Sequence, residues 1–326
     1  LVVVPENDQE QWDEARARKK ARTRATIEVE RMNSIADTLD IDRWQIGGIE
    51  LNIHHIEPDF PKRFYVRKET QDIIKIFLEL KLSIAFVGSP GVGKSMLVVL
   101  FTFYKALRQE KVVVLLRNQK AQGLSMLYLD GKNKVYWRKN KAKLYELGDL
   151  LDQDVELCLD GFMQTDITNI QNCGNLESFR LLATSGQYDW KNSETILLRI
   201  CLVPFWSKSD LNKIGSDMLW TKSIIYKQYY YSGGNLRDFL LGTTTSRFAI
   251  NQAVAVACMH TAELLSTQYT FVSASQIDCL RMTTIQSHGQ TIDLRKYLNC
   301  GEWLCVITSE YVLRKLGHIV TPSYYE

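Results

Sequence analysis

Eight consecutive residues carry the strongest chemical signal in the chain: Gly88-Ser89-Pro90-Gly91-Val92-Gly93-Lys94-Ser95. They fit G-x-x-x-x-G-K-[ST], a turn whose backbone N–H groups wrap a chain of phosphates. Gly88, Gly91 and Gly93 open backbone conformations that other residues avoid. The N–H groups of the turn then converge on one point, and the N-terminus of a following helix adds positive partial charge there. Lys94 would reach the β- and γ-phosphates, and the Ser95 hydroxyl would ligate Mg²⁺. The expected nucleotide contacts are Gly88, Ser89, Pro90, Gly91, Val92, Gly93, Lys94, Ser95 and Met96.

A phosphate turn of this kind works with an acid from a neighbouring strand. Val155-Glu156-Leu157-Cys158-Leu159-Asp160 is an apolar strand ending in a carboxylate, the shape of a Walker B element. At that strand end Asp160 can hold the magnesium water shell opposite Ser95, so Ser95 and Asp160 are the expected metal residues. Many ATPases place a glutamate directly after this aspartate to activate water, whereas here Gly161 follows. Glu156 lies four residues back, at the wrong depth, and nothing in the sequence brings Asp166 or Glu177 into reach. General-base catalysis needs a carboxylate within hydrogen-bond distance of the water, so nucleotide binding is better supported than fast hydrolysis.

Two further groups complete the expected catalytic set of Lys94, Asp160, Thr184 and Arg237. Phe179 to Gly186 reads as a strand ending in two hydroxyls. Thr184 or Ser185 would read the γ-phosphate; the alternative is a hydroxyl closing a strand before a glycine turn. Gly233-Gly234-Asn235 makes a sharp turn that places Arg237 in the first turn of a helix. A guanidinium there matches phosphate oxygens; the alternative is an arginine paired with Asp238 or with solvent. ATP with Mg²⁺ is the expected ligand. Asn212-Lys213-Ile214-Gly215 lacks the aspartate that would select guanine.

The elements needed to position these groups are legible. Leu82 to Val87 reads as a buried strand entering the turn, and Met96 to Leu107, apolar nearly all round, as a buried helix leaving it. Lys68 to Leu80 reads as a helix feeding that strand. Phe64, Tyr65 and Val66 precede it as either base contacts or core. Lys111 to Leu116 is a second strand. Leu124 to Asp130 and Lys134 to Trp137 alternate about Gly131-Lys132-Asn133 as a hairpin. Leu197 to Pro204 is another strand, followed by a helix start with Ser209 as its cap. The expected fold is α/β, a three-layer P-loop NTPase sheet (AAA/STAND-like) with helices on both faces. Residues 1–62 are expected to form a strand end, a basic helix and a linker; 63–243 the P-loop domain; 244–326 a mixed, mainly helical accessory subdomain.

Composition sets the bounds. With 326 residues, 45% hydrophobic, 24% charged and a net charge of +3, the chain has ample core and no global basic character. No apolar run reaches membrane-spanning length. Seven cysteines in no C-x-x-C spacing read as reduced core residues. Residues 8–39 read as one long helix whose block Arg16 to Arg24 is a nuclear-import signal, a nucleic-acid backbone contact or a solvated connector. The chain does not start with methionine and is expected to be a piece of something longer, without a signal peptide of its own.

Several of these segments together resemble one family, the Crinkler effectors of oomycetes and related pathogens. Leu1-Val2-Val3-Val4-Pro5 is similar to the last part of the HVLVxxP motif that closes their delivery region. The P-loop, Phe64-Tyr65-Val66-Arg67, Leu157 to Phe162, Val203 to Lys208 and Tyr230 to Arg237 resemble, in the same order, the P-loop module behind that motif. Retrotransposon hot-spot proteins of trypanosomes are similar in outline. The resemblance implies a secreted virulence protein acting inside host cells, commonly in the nucleus, to perturb immunity or cell death. It implies a nucleotide as ligand, a host nuclear protein or DNA as partner, and a toxin-like domain further along. A nucleotide-gated homo-oligomer and a non-enzymatic interaction module with a vestigial P-loop are the further expectations.

Overall fold

The computed structural model describes residues 30–32, 35, 38–119, 122–143, 145–148, 155–162, 179–184, 198–257, 266–267, 279–286 and 292–317. The basic block, Ser185, Asp166, Glu177 and the segment resembling the delivery motif lie outside these residues.

An eight-stranded, mostly parallel sheet organises the chain. Its strands are β1 (Glu30–Arg31), β4 (Ser83–Val87), β5 (Val112–Gln119), β6 (Gly123–Asp130), β7 (Val135–Asn140), β8 (Val155–Asp160), β9 (Phe179–Ala183) and β10 (Leu198–Leu202). The spatial order is β1-β7-β6-β5-β8-β9-β4-β10. The five strands from β5 to β10 in that order run parallel, and β6, β7 and β1 extend the sheet antiparallel. The fold class is therefore α/β, as expected. Two strands each make small separate sheets: β2 (Gly47–Glu50) with β3 (Arg63–Val66), and β11 (Met282–Ile285) with β12 (Trp303–Val306).

Helix α1 (Lys68–Glu79) and helix α2 (Lys94–Gln109) pack on one face of the sheet, and a single helical turn, α3 (Tyr145–Gly148), precedes β8. The uniformly apolar sequence of α2 has its reason here, because Val98, Val99, Leu100, Phe101 and Phe103 are completely buried. Strand alternation divides the core. Ile84 and Phe86 of β4 turn to the α2 side, and Ala85 between them joins Leu116, Leu159 and Leu182 on the other. Ile41, Leu51, Ile53, Phe60, Phe64 and Val66 belong to the α2-side core. Phe64 and Val66 are thus core residues, while Tyr65 is half-buried against Trp206, ring centroids 6.0 Å apart.

A helical region follows β10: α4 (Lys208–Asp217), α5 (Lys222–Ser232), α6 (Leu236–Leu240), α7 (Thr243–Ala257) and, after β12, α8 (Glu310–Leu316). Three local readings are corrected. Glu30 and Arg31 form a strand rather than part of the helix expected over 8–39, because they pair with Tyr136 and Val135. The second strand continues past Leu116 to Gln119. The cap of α4 is Ser207, whose side chain accepts from the Asp210 N–H at 3.1 Å; Ser209 already lies within the helix. No helix among the described residues is long and apolar enough to cross a membrane.

Candidate nucleotide-binding site

The glycine turn joins β4 to α2 at the C-terminal end of the parallel strands. Gly88, Gly91 and Gly93 take φ of +139°, +77° and +105°. All three lie in the region that side chains avoid, so the sequence pattern is a backbone requirement. Two of the glycines also allow close approach. A Cβ on Gly88 would sit 2.5 Å from the Val203 carbonyl oxygen, and one on Gly91 would overlap the Asn235 side chain. Gly91, Gly93, Lys94, Ser95 and Met96 keep partial exposure, so the mouth of the turn is reachable from solvent.

The loop is braced from outside by groups the sequence reading missed. The Ser89 hydroxyl donates to the Arg281 carbonyl at 3.0 Å and accepts from the Thr283 N–H at 2.9 Å, tying the turn to β11. Ser89 thus contributes its backbone, not its hydroxyl, to the cradle. Trp206 Nε1 donates to the Val92 carbonyl at 3.0 Å. Trp206 is itself held by Arg67, whose guanidinium lies 4.2 Å from the ring centroid and donates to the carbonyls of Pro204 and Phe205. Burial holds the Arg67 pKa below its ordinary value. The Arg237 backbone N–H donates to the Gly91 carbonyl at 3.3 Å.

Lys94 folds back over the turn. Its Nζ donates to the carbonyls of Gly88 at 2.6 Å and Ser89 at 2.8 Å. The ammonium therefore lies against the backbone of the turn itself.

Asp160 ends β8 on the α2 face. An ion pair fixes its height. Lys105 Nζ, late in α2, meets Glu156 Oε2, early in β8, at 2.6 Å. From Lys105 back to Ser95 is about 15 Å at the helical rise. From Glu156 forward to Asp160 is about 13 Å at the strand rise. The strand register agrees: through Ala183 of β9, Asp160 is aligned with Phe86 of β4, two residues before Gly88, so Asp160 and the turn lie at the same end of the sheet. Strand β9 lies between β4 and β8. Its continuation puts Thr184 beside Asp160's strand, with the Thr184 N–H on the Phe86 carbonyl at 3.2 Å and its Oγ1 on the Phe162 carbonyl at 3.4 Å.

Arg237 opens α6, and its backbone touches the turn while its guanidinium is largely exposed, 3.6 Å from Asp238. Asn235 caps this helix by accepting from the Asp238 N–H at 3.1 Å. Burial raises the Asp238 pKa, and Arg237 opposes that rise. The structure thus brings Lys94, Ser95, Asp160, Thr184 and Arg237 to one end of the sheet.

The largest departure from expectation concerns Asp160. It is 5% exposed and salt-bridged rather than open toward Ser95. Arg117, its register partner at the end of β5, donates from Nε to Asp160 Oδ2 at 2.9 Å. Arg117 Nη1 meets Glu57 Oε1 at 2.6 Å and Asp59 Oδ2 at 3.0 Å. Burial alone would lower the Arg117 pKa; Asp160, Glu57 and Asp59 outweigh it, and the net direction is upward. The signal that could have found Arg117 is a cation directly following the apolar run of a strand aligned with Val155 to Asp160.

Gly161 has a steric cause. Its φ is +76°, and a Cβ would strike the Asn118 carbonyl oxygen. The position that holds a glutamate in many ATPases is closed here to any side chain. No protein-family model matches the chain, and no curated protein matches it.

Proposed function

We propose that this chain is a Mg²⁺-dependent ATP-binding module of the P-loop class that hydrolyses ATP slowly or uses it as a conformational switch. The observation that carries the reading is the three-glycine turn at the start of α2, level with Asp160 on a strand separated from β4 by β9 alone. Backbone N–H groups of Gly91 to Ser95 and the α2 N-terminus would bind the phosphates, with Lys94 moving from its loop carbonyls onto them. Ser95 would ligate a magnesium ion, and Asp160, once released by Arg117, would hold its water shell. Such an ion neutralises charge on the phosphate oxygens. Thr184 and Arg237 would orient the terminal phosphate from β9 and α6.

Slow turnover follows from Gly161, because a glutamate cannot replace it without striking Asn118. A switch follows from the bracing. Arg237, Trp206 and Thr283 each hydrogen-bond the turn or its serine, and Asn235 lies against Gly91, so phosphate binding would be felt in the helical region. ATP is favoured over GTP, since Asn212 to Gly215 lie inside α4 rather than in a loop at a strand end. The setting, a pathogen effector in the host nucleus, is proposed from the order of the sequence motifs.

The test uses a fluorescent ATP analogue and a phosphate-release assay on the wild type and Lys94→Ala. Saturable binding lost in the variant, with slow release that depends on Lys94, supports the reading. A wild type that binds no nucleotide, yet binds DNA in a salt-sensitive manner, would replace it with the interaction module.

A further inference from the structure

We infer that Arg117 is an exchangeable counter-ion for Asp160: it holds that carboxylate while no metal is bound and yields it to the divalent cation that arrives with the nucleotide, keeping Glu57 and Asp59 as its own partners. The inference deepens the nucleotide reading above and rests on it.

The charge arrangement is the reason. A buried guanidinium paired with one carboxylate cannot release it without being left uncompensated. Arg117, whose side chain is 4% exposed, has three carboxylates within 3.0 Å. When Asp160 leaves, Glu57 at 2.6 Å and Asp59 at 3.0 Å still neutralise it. Arg138 Nη2 shares Glu57 at 3.5 Å, so the cluster holds three acids and two bases, one negative charge in excess. A cation at Asp160 removes that excess.

The two spare carboxylates come from a different part of the chain. Glu57 and Asp59 lie between the 3-10 turn Asn52–His55 and β3. Gln119 Nε2 donates to Asp59 Oδ2 at 2.6 Å and holds it toward Arg117. Arg138 of β7 donates to the Ile56 carbonyl at 3.3 Å, fixing the segment over the sheet. The metal affinity of the site is thus set partly by residues 57 and 59, acting through Arg117. They are positioning residues for Asp160 through Arg117.

The experiment titrates Mg²⁺ into the full chain with a fluorescent ATP analogue and reads the Mg²⁺ midpoint. Asp59→Asn makes Arg117 lean harder on Asp160, so the midpoint should rise about threefold to fivefold, the size of one partly exposed charge contact. A Glu57→Gln/Arg117→Met double variant frees Asp160 while removing one charge of each sign, so the midpoint should fall by about tenfold. Far-UV circular dichroism confirms that each variant is folded, and binding in EDTA, which depends on the turn and Lys94, should match the wild type. Midpoints within twofold of wild type in both variants, with nucleotide still bound, would overturn the exchange and leave the nucleotide reading intact. A wild type that binds no analogue with or without Mg²⁺ would remove both.

Discussion

Strand β8 carries two ion pairs on one face, four residues apart, and they are built differently. At its start Glu156 meets Lys105 at 2.6 Å, with Gln109 Oε1 3.3 Å from the same ammonium. At its end Asp160 meets Arg117, which has two more carboxylates. The first pair has one acid and one base, both on the elements it joins, and it fixes the register of α2 against β8. The second has spare acids from a distant segment. A pair without spares is a fastener; a pair with spares can exchange one partner while its buried charge stays balanced. The fastener lies far from the glycine turn and the exchangeable pair lies beside it.

Removing one charge at a time separates the two. Arg117→Gln leaves Asp160 without its cation and Glu57, 1% exposed, with Arg138 alone at 3.5 Å, and should cost about 3–5 kcal/mol in urea denaturation. Lys105→Met strands only Glu156, which reaches water with 24% of its side chain exposed, so its cost should fall at the lower end, about 3 kcal/mol. The order reverses on the acid side. Glu156→Gln leaves the Lys105 ammonium, 4% exposed, with no carboxylate within 4 Å among the described residues, and should cost about 2–3 kcal/mol. Asp160→Asn leaves Arg117 two carboxylates and an amide oxygen, and should cost about 1 kcal/mol. If Asp160→Asn proves as costly as Glu156→Gln, the spare carboxylates do not compensate and the distinction between the two ends fails.

The two ends also differ in how far the sequence exposes them. Local patterns that dictate local structure were readable: the glycine spacing, the apolar run of α2, the hairpin about Gly131, and the strand ending in Asp160. The site's parts were named because each sits at the end of a readable element. Arg117 escaped because its burial is licensed by residues 57, 59 and 160, and a hydropathy reading ends a strand where the apolar run ends, at Leu116. Asn235 and Trp206 escaped for a related reason, since their contacts with Gly91 and Val92 join segments more than 100 residues apart. Gly161 was read as a missing base, and only the Asn118 carbonyl beside it shows why no side chain stands there. Glu30 and Arg31 read as helix because nothing in their own neighbourhood announces Tyr136 and Val135 across the sheet.

Cys158 gives the smallest and most local reading of the comparison. It lies midway between Glu156 and Asp160 on the same face, completely buried beside Thr102 of α2. Burial pushes its thiol up from 9.0 to about 12, against the smaller opposing effects of Thr102 and Lys105. Between those values the native thiol keeps its proton while the unfolded thiol has lost it. Unfolding then releases a proton, so stability falls as pH rises from 9 toward 12, by up to about 1.4 kcal/mol per pH unit. Lysines and tyrosines titrate in the same range, so the measurement is a difference between wild type and Cys158→Ala in urea midpoint at pH 8 and pH 10. The wild type should lose about 1 kcal/mol more than the variant over that step. Asp59→Asn, at the other end of the strand, should leave the wild-type loss unchanged. Equal slopes in wild type and Cys158→Ala would mean that water reaches the middle of β8, and an ion pair in a wet interior could not fasten α2 as proposed.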